Sequence, residues 1–200
     1  REYIAGHYLL RAMLHQFYPG RFTADAIVHL PRQAPCFQDT SINLQFNISH
    51  SRGLIICALS KLGDVGIDIE APKSKRNIDA IAASYYSNNE ATLIGSLDVE
   101  EKKDHFYRLW TLKESLIKAK RKGMAESGMK IEFTQANEPF SPSGWYSYGF
   151  VYHSHYGAIT VQYKLAKELT VSEFNSDLLL SNTLSLSLSG FVPQDQTLQE

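Results

Sequence analysis

The segment Val65-Gly66-Ile67-Asp68-Ile69-Glu70 alternates apolar residues with glycine and acidic residues. Successive side chains of a β-strand point to opposite faces, so Asp68 and Glu70 are predicted to share one face while the apolar residues pack inward. Two carboxylates about 7 Å apart along a strand repel each other unless a cation or a proton lies between them. Magnesium binds such oxygen ligands. The segment therefore predicts a partly buried strand with a candidate magnesium site, and a solvated strand face is the alternative.

A second segment, residues 106–118, has the pattern of a helix with one polar stripe. Trp110, Glu114 and Lys118 follow one another at intervals of four residues and so share a helix face. A surface ion pair between Glu114 and Lys118, worth about 0.2–0.5 kcal/mol, is the simplest interpretation. A tryptophan on the same stripe indicates partial burial, which favours a functional site beside the acidic strand.

A third segment, Phe46-Asn47-Ile48-Ser49-His50-Ser51, contains adjacent serine and histidine residues. Neighbouring side chains of an extended chain point in opposite directions, so Ser49 and His50 are not expected to form a nucleophile–base pair. Both residues can donate hydrogen bonds to a phosphate oxygen, and a purely structural role for His50 is the alternative.

The remaining pattern predicts a mixture of helices and strands. An amphipathic helix opens the chain and ends near Pro19-Gly20, and Ser87 is the predicted N-cap of a helix that carries Glu90. Further helices are predicted at residues 78–86 and 100–122, the second ended by Gly123. Strands are predicted at residues 54–59 and 65–69, paired as a hairpin, and at residues 131–134, 145–153 and 158–163. Residues 184–190 alternate leucine with serine, which predicts either an edge strand or disorder, and a polar tail follows from about residue 190.

Composition excludes several classes of protein. The 200 residues carry a net charge of −1, so no global basic surface predicts a nucleic-acid partner. No stretch is long and apolar enough to span a bilayer. Cys36 and Cys57 are expected to be free thiols, and a cytoplasmic location is expected because no secretory signal opens the chain.

Together, and in this order, the three segments resemble the surfactin-type 4′-phosphopantetheinyl transferases of the holo-acyl-carrier-protein synthase superfamily. The matching text is F-N-I-S-H-S, V-G-I-D-I-E and F-Y-R-L-W-T-L-K-E-S-L-I-K, followed by Lys122-Gly123, with a weaker match at residues 85–90. The resemblance implies an α+β fold in which two similar α/β halves are related by a pseudo-twofold axis, with the ligand cleft between them. The halves would be residues 1–62 and 63–200, and the protein would be a monomer.

The resemblance also implies an activity. The 4′-phosphopantetheine of coenzyme A would be transferred to a serine of an apo acyl or peptidyl carrier protein, with Mg²⁺ as cofactor and 3′,5′-ADP as the other product. The implied metal-binding residues are Asp68, Glu70 and Glu114, and the implied catalytic residues are Glu114, as the base, and Lys118. The implied contacts to coenzyme A come from the following residues: Ser49, His50, Lys113, Lys118 and Arg11.

An acidic carrier protein would dock on a basic stretch, and Lys73, Lys75 and Arg76 form one. A solvated loop is the alternative. Two departures from the family pattern are visible. The expected N-terminal segment with basic residues for the 3′-phosphate does not precede the first helix, and Gln33-Ala34-Pro35 stands where relatives often have Gly-Lys-Pro.

Two other functions are compatible with parts of this pattern. A magnesium-dependent nuclease also combines acidic strand residues with a glutamate and a lysine, although these usually lie two apart on a strand. A catalytically inactive relative that only binds coenzyme A or a carrier protein is the second alternative. The departure from the family pattern ahead of the first helix is what favours it.

Overall fold

The structure, a computed structural model, describes residues 2–22, 26–28, 35–39, 41–121, 128–135, 144–165, 168–174 and 180–194. Its helices are α1 (Glu2–Phe17), α2 (Ile78–Tyr85), α3 (Asn88–Ser96) and α4 (Val99–Ala119), with a 3₁₀ turn at Gly128–Lys130. The strands of the first part are β1 (Ile27–Val28), β2 (Cys36–Phe37), β3 (Gln45–Ser51), β4 (Leu54–Ser60) and β5 (Val65–Glu70). Those of the second part are β6 (Glu132–Gln135), β7 (Tyr146–Tyr152), β8 (His155–Val161), β9 (Glu168–Phe174), β10 (Leu180–Ser187) and β11 (Ser189–Gln194).

The largest sheet is antiparallel, with five strands in the order β5, β8, β7, β11, β6. Strand β11 lies between β7 and β6, and β10 pairs with β9 in a separate two-stranded sheet. Residues 184–187 of the alternating leucines and serines lie in β10 and residues 189–190 lie in β11, so a strand is observed, although only β10 is an edge strand. The end of the polar tail, residues 195–200, lies outside the described residues. The mixture of helices and antiparallel strands makes the fold α+β.

The hairpin predicted between residues 54–59 and 65–69 is wrong. Strand β4 pairs with β3 through the two-residue turn Arg52-Gly53, whose φ angles are +45° and +86°. A two-residue turn with positive φ at both positions matches the right-handed twist of paired strands, so the tight turn forms there. The longer connection at residues 61–64 instead leads from β4 into the five-stranded sheet, where β5 pairs with β8.

Helix α1 packs on the β3–β4 hairpin through an apolar cluster that contains Leu10, Leu14 and Phe46. This confirms the predicted opening helix, which ends at Phe17, just before the Pro19-Gly20 pair. The amphipathic pattern of α1 is thus explained by one buried stripe against the hairpin.

Helices α2, α3 and α4 pack around a second cluster that contains Tyr86, Ile94 and Phe106. Ser87 caps α3, as predicted: its hydroxyl accepts from the Glu90 backbone N–H, and the Glu90 side chain accepts from the Ser87 backbone N–H. The long predicted helix is confirmed as α4, and the predicted stop at Lys122-Gly123 lies outside the described residues.

Across the described part of the chain, no helix has the length and apolar character needed to cross a bilayer.

Candidate active site

Strand β5 supplies the acidic face of the site. Asp68 is buried, with 5% of its surface exposed, and Glu70 is partly exposed at the end of the strand. Gly66, on the same face, lies against helix α4: a β-carbon there would come within 2.0 Å of the Ser115 carbonyl oxygen and 2.4 Å of the Ala119 backbone nitrogen. The space beside Gly66 is therefore occupied by the helix backbone, which brings the side chains of α4 over the acidic residues.

Small side chains across the sheet continue this close approach. Gly66 is paired with Thr160 on β8, and Thr160 is paired with Ser147 on β7. The Thr160 hydroxyl lies 2.7 Å from the hydroxyls of both Ser147 and Ser115, and all three residues are fully buried. Hydrogen bonds between hydroxyls satisfy these buried groups and attach α4 to the sheet beside the site.

Lys118 joins the helix to the acidic strand. Its ammonium lies 2.7 Å from Asp68 Oδ1 and also donates to Ser49 Oγ at 3.0 Å and to the Ile67 carbonyl oxygen at 3.3 Å. The prediction that Lys118 shares a site with the strand is thus realised, and its most direct partner is Asp68.

Ser49 lies inside the protein. Its hydroxyl donates to Asp68 Oδ1 at 2.9 Å and accepts from the Ile69 backbone N–H at 3.3 Å. The resemblance implied a contact with coenzyme A for this residue, whereas the structure places its hydroxyl between Asp68 and Lys118. Its hydroxyl is thus hydrogen-bonded to both of these side chains.

Two residues that sequence reasoning missed extend this pattern along β3. Asn47 Oδ1 accepts from the Ile67 backbone N–H at 3.0 Å, and Ser51 Oγ accepts from the Ala71 backbone N–H at 3.0 Å. Together with Ser49 they satisfy the outer edge of β5, which pairs with none of the described strands on that side. The signal was present in the sequence, since Asn47, Ser49 and Ser51 are polar at alternate positions of a strand.

Glu114 approaches the same carboxylates from α4. Burial raises the pKa of the Glu114 carboxyl above its usual range, and Asp68 and Glu70 raise it as well, whereas Lys118 and Arg76 lower it. The carboxyl group thus lies in the electrostatic field of both acidic residues of β5. The structure therefore brings together four of the predicted site residues, namely Asp68, Glu70, Glu114 and Lys118.

The acidic residues supply carboxylate oxygens, the ligand type that a hard divalent cation prefers. Asp68 Oδ2 is buried and has no hydrogen-bond partner, and Ser51 donates only a long bond of 3.4 Å to Glu70 Oε2. Burial and, after it, the nearby carboxylates of Asp68 and Glu70 raise the pKa of Glu114, and a cation among such carboxylates would offset their repulsion. Among the described residues, however, no group of three or more His, Cys, Asp or Glu side chains is arranged to hold a metal ion, and Lys118 pairs with the other oxygen of Asp68.

His50 lies on the opposite face of β3. Its Nδ1 is 2.9 Å from Glu2 Oε2, and both side chains are about two-fifths exposed. The residue lines a pocket between α1 and β3, and the other lining residues are Tyr3, His7, Pro35, Phe46, Asn47 and Ile48. Arg11 lies on the exposed side of α1. His50 and Arg11 therefore lie outside the acidic cluster, a name used here for Asp68, Glu70 and Glu114.

Lys113, which was predicted to contact a phosphate of coenzyme A, lies instead in the protein interior. The residue is fully buried, and its ammonium lies 2.8 Å from Glu90 Oε2 and donates to the Ile131 carbonyl oxygen. Burial lowers the pKa of Lys113, and the Glu90 carboxylate raises it. One residue along a helix is a rotation of about 100°, so Lys113 faces the α3 side while Glu114 faces the strand.

The predicted docking residues separate into two kinds. Lys73 and Lys75 are exposed, as a docking role requires. Arg76 is partly buried, with its guanidinium over the rings of Trp110, Tyr107 and Phe106 at 4.9–5.6 Å. Arg76 thus packs against α4 beside Glu114, where cation–π contacts hold it.

Comparison with known proteins identifies the family. Residues 64–169, which contain both β5 and α4, match the 4′-phosphopantetheinyl transferase superfamily. Because this match covers more than half of the chain, the protein belongs to that superfamily.

Individual relatives agree with this assignment. The 4′-phosphopantetheinyl transferase HetI of Nostoc sp. is 32% identical over 131 residues, which are 63% of this chain and 54% of that protein. The 4′-phosphopantetheinyl transferase Sfp of Bacillus subtilis is 41% identical over 91 residues, 46% of this chain and 39% of that protein. For the 4′-phosphopantetheinyl transferase AcpT of Escherichia coli the identity is 33% over 91 residues, 46% of each chain. The match thus spans about half, or less, of the length of these relatives.

Proposed function

We propose that this protein transfers 4′-phosphopantetheine from coenzyme A to a serine of an apo acyl or peptidyl carrier protein and releases 3′,5′-ADP. The relatives described above are named 4′-phosphopantetheinyl transferases, which supports transfer of this group. The observation that supports it most directly is the ion pair between Asp68 and Lys118, which lie 50 residues apart in the sequence. Both residues also interact electrostatically with Glu114. A cluster of carboxylates with one cation suits phosphoryl-type transfer, which depends on positioning and charge neutralisation.

Asp68, Glu70 and Glu114 would hold Mg²⁺. The buried, unpartnered Oδ2 of Asp68 and the raised pKa of Glu114 support this assignment. When bound, the cation would neutralise charge on the pyrophosphate of coenzyme A.

The chain's own residues would handle the proton and the developing charge. A carboxylate oxygen of Glu114 would accept the proton of the carrier serine hydroxyl as its oxygen forms a bond to the β-phosphorus. The bond from that phosphorus to the oxygen bridging to the nucleotide would break, and 3′,5′-ADP would leave with the bonding electrons. Lys118 would stabilise negative charge on the phosphate oxygens. The raised pKa of Glu114 supports its role as the base, because a general base is most effective when its pKa approaches the working pH.

The nucleotide end of coenzyme A would lie at the pocket lined by His50. Aromatic and apolar residues line this pocket, which suits a base, and His50 can donate to a phosphate oxygen. Arg11 on α1 would add positive charge near the same end. Ser49 and Lys113 are less suited to this role, because their polar groups are engaged inside the protein.

The two predicted halves remain part of the proposal. Helix α1 on the β3–β4 hairpin would represent the half of residues 1–62, and α4 on the five-stranded sheet would represent residues 63–200. A pseudo-twofold axis would relate them, with the coenzyme in the cleft between them. The carrier protein would dock against the exposed Lys73 and Lys75, with Arg76 closer to the reacting groups. A cytoplasmic monomer is the form expected for such an enzyme.

The proposal is tested by intact-mass spectrometry of several apo carrier proteins incubated with this protein, coenzyme A and Mg²⁺. Transfer of one phosphopantetheine adds about 340 Da to the carrier serine. The gain should disappear when EDTA is added. If no carrier gains mass although the protein binds coenzyme A, the binding-only alternative replaces the enzyme.

A further inference from the structure

Lys118 occupies one of the two oxygens of the carboxylate that a bound cation would need. Its ammonium lies 2.7 Å from Asp68 Oδ1, and the Asp68 side chain is only 7% exposed. A buried carboxylate requires a compensating positive charge. Lys118 forms an ion pair with Asp68 and so supplies this compensating positive charge when no metal or coenzyme A is bound.

The position of Lys118 is maintained by more than the ion pair. Ser49 Oγ and the Ile67 carbonyl oxygen also accept from its ammonium, at 3.0 Å and 3.3 Å. Ser49 binds Asp68 Oδ1 at the same time, so one hydroxyl holds both members of the pair. A divalent cation that approaches Asp68 alone therefore finds only Oδ2 without a partner, on a carboxylate whose charge Lys118 already neutralises.

We propose that Lys118 is the resident counter-ion of Asp68 and that it couples the binding of the metal to the binding of coenzyme A. A cation at the unpartnered Oδ2 of Asp68 would lie beside the ammonium on Oδ1, whose positive charge repels it, and the pyrophosphate of coenzyme A offers the ammonium a new anionic partner away from Asp68. Each ligand therefore makes binding of the other more favourable, and this coupling is reciprocal by thermodynamic necessity. The inference rests on the proposed function, because it takes coenzyme A as the second ligand.

Removal of the Lys118 charge should strengthen binding of the metal alone. In Lys118→Met the ion pair is lost, and Asp68 keeps an uncompensated buried charge that Mg²⁺ can neutralise. Isothermal titration of Mg²⁺ into the full chain, without coenzyme A, should show binding roughly tenfold tighter in this variant than in the wild type. The matched control is Lys103→Met, which removes a lysine from the same helix where it pairs with Glu100 at the surface. The control should bind Mg²⁺ as the wild type does.

The second measurement repeats the Mg²⁺ titration with saturating coenzyme A and no carrier protein. The factor by which coenzyme A tightens Mg²⁺ binding should be smaller in Lys118→Met than in the wild type, because only the wild type has to release an internal cation. If Lys118→Met does not fold, Ser49→Ala replaces it, since loss of the Ser49 hydroxyl removes one anchor of the ammonium and should give a shift in the same direction.

If Lys118→Met binds Mg²⁺ alone no more tightly than the wild type, the inference is overturned. The absence of a measurable binding signal from both the wild type and Lys118→Met counts as unchanged binding. Carrier modification by the wild-type preparation is measured in parallel. Transfer by the wild type with unchanged metal affinity in the variant rejects the coupling alone, whereas failure of the wild type to modify any carrier rejects the proposed function itself.

Discussion

Gly66 lies so close to Ser115 that a β-carbon on the glycine would come within 2.0 Å of the serine carbonyl oxygen. The contact is with helix backbone, which cannot rotate out of the way as a side chain can. Strand β5 carries Asp68 and Glu70, and helix α4 carries Glu114. This single close approach therefore sets the distance between the acidic residues of the strand and that of the helix.

Substitution Gly66→Ala should therefore push α4 away from β5. We expect a loss of at least about 3 kcal/mol in the free energy of unfolding, at the upper end of the usual cost of overpacking. Urea unfolding measures this loss. Gly95→Ala is the control, because a β-carbon at Gly95 on α3 meets nothing within 4 Å and should be neutral or stabilising. Equal effects of the two substitutions would show that the helix has room to move.

The edge of β5 depends on side chains of β3. Because Ser51 Oγ accepts from the Ala71 backbone N–H, Ser51→Ala should leave a buried donor unpaired and cost about 1–3 kcal/mol of stability. Hydrogen–deuterium exchange at Ala71 should accelerate more than at strand β7. The control is Ser74→Ala at an exposed position. Unaltered protection of Ala71 in Ser51→Ala would contradict the role assigned to the β3 side chains.

The buried pair of Lys113 and Glu90 should be a structural element. Lys113→Met leaves the Glu90 carboxylate buried without its partner, so a loss of about 3–5 kcal/mol is expected. Adding Glu90→Gln in the same chain should recover part of this loss, since the unpaired charge is then removed. Thermal or urea unfolding of both single variants and the double variant measures the coupling. Additive losses would mean that the two side chains do not interact.

Glu114 gives a pH dependence whose sign follows from its surroundings. Its pKa is raised in the folded protein, so its contribution to stability is fully present below the pKa of the unfolded chain and is lost as the pH rises through the folded value. In EDTA at neutral pH, Glu114→Gln should therefore be more stable than the wild type, by about 0.5–1 kcal/mol for a partly screened group. The difference should vanish near pH 4. A variant less stable than the wild type at neutral pH would be the opposite result.

The same substitution should abolish most of the proposed activity. Removal of a general base typically lowers the rate by about 10²–10⁴-fold, and Glu114→Gln also removes one negative charge from the proposed cation site. The rate of carrier modification is measured by intact mass. Near-normal turnover by a variant that is stable would exclude Glu114 as the base.

Local periodicity predicted most of the acidic cluster. The two-residue repeat of the 65–70 segment placed Asp68 and Glu70 on one face, and the four-residue spacing on α4 placed Glu114 beside Lys118. The Ser87 cap was predicted for the same reason, because the capping box is a local pattern. Such features depend on residues a few positions apart, where backbone geometry alone determines the neighbours.

Features that depend on tertiary packing were not predicted. The predicted pairing of β4 with β5 is wrong because the Arg52-Gly53 turn closes a tight hairpin between β3 and β4, while β5 pairs with β8, a strand far along the chain. Ser49 was expected to contact a ligand, but the approach of β5 turns its hydroxyl into an internal partner of Asp68. The role of Lys113 follows from where α3 packs against α4, which the periodicity of α4 alone does not reveal.

The most direct test of the central claim compares two aspartates in one assay. Asp68→Asn removes the carboxylate that binds Lys118, whereas Asp79→Asn removes an exposed carboxylate that pairs with Lys102 at the surface. Intact-mass spectrometry then follows the rate at which an apo carrier protein gains phosphopantetheine from coenzyme A with Mg²⁺. We predict a fall of at least about 100-fold for Asp68→Asn and a wild-type rate for Asp79→Asn. Equal rates for the two variants would contradict the assignment of the acidic cluster as the active site.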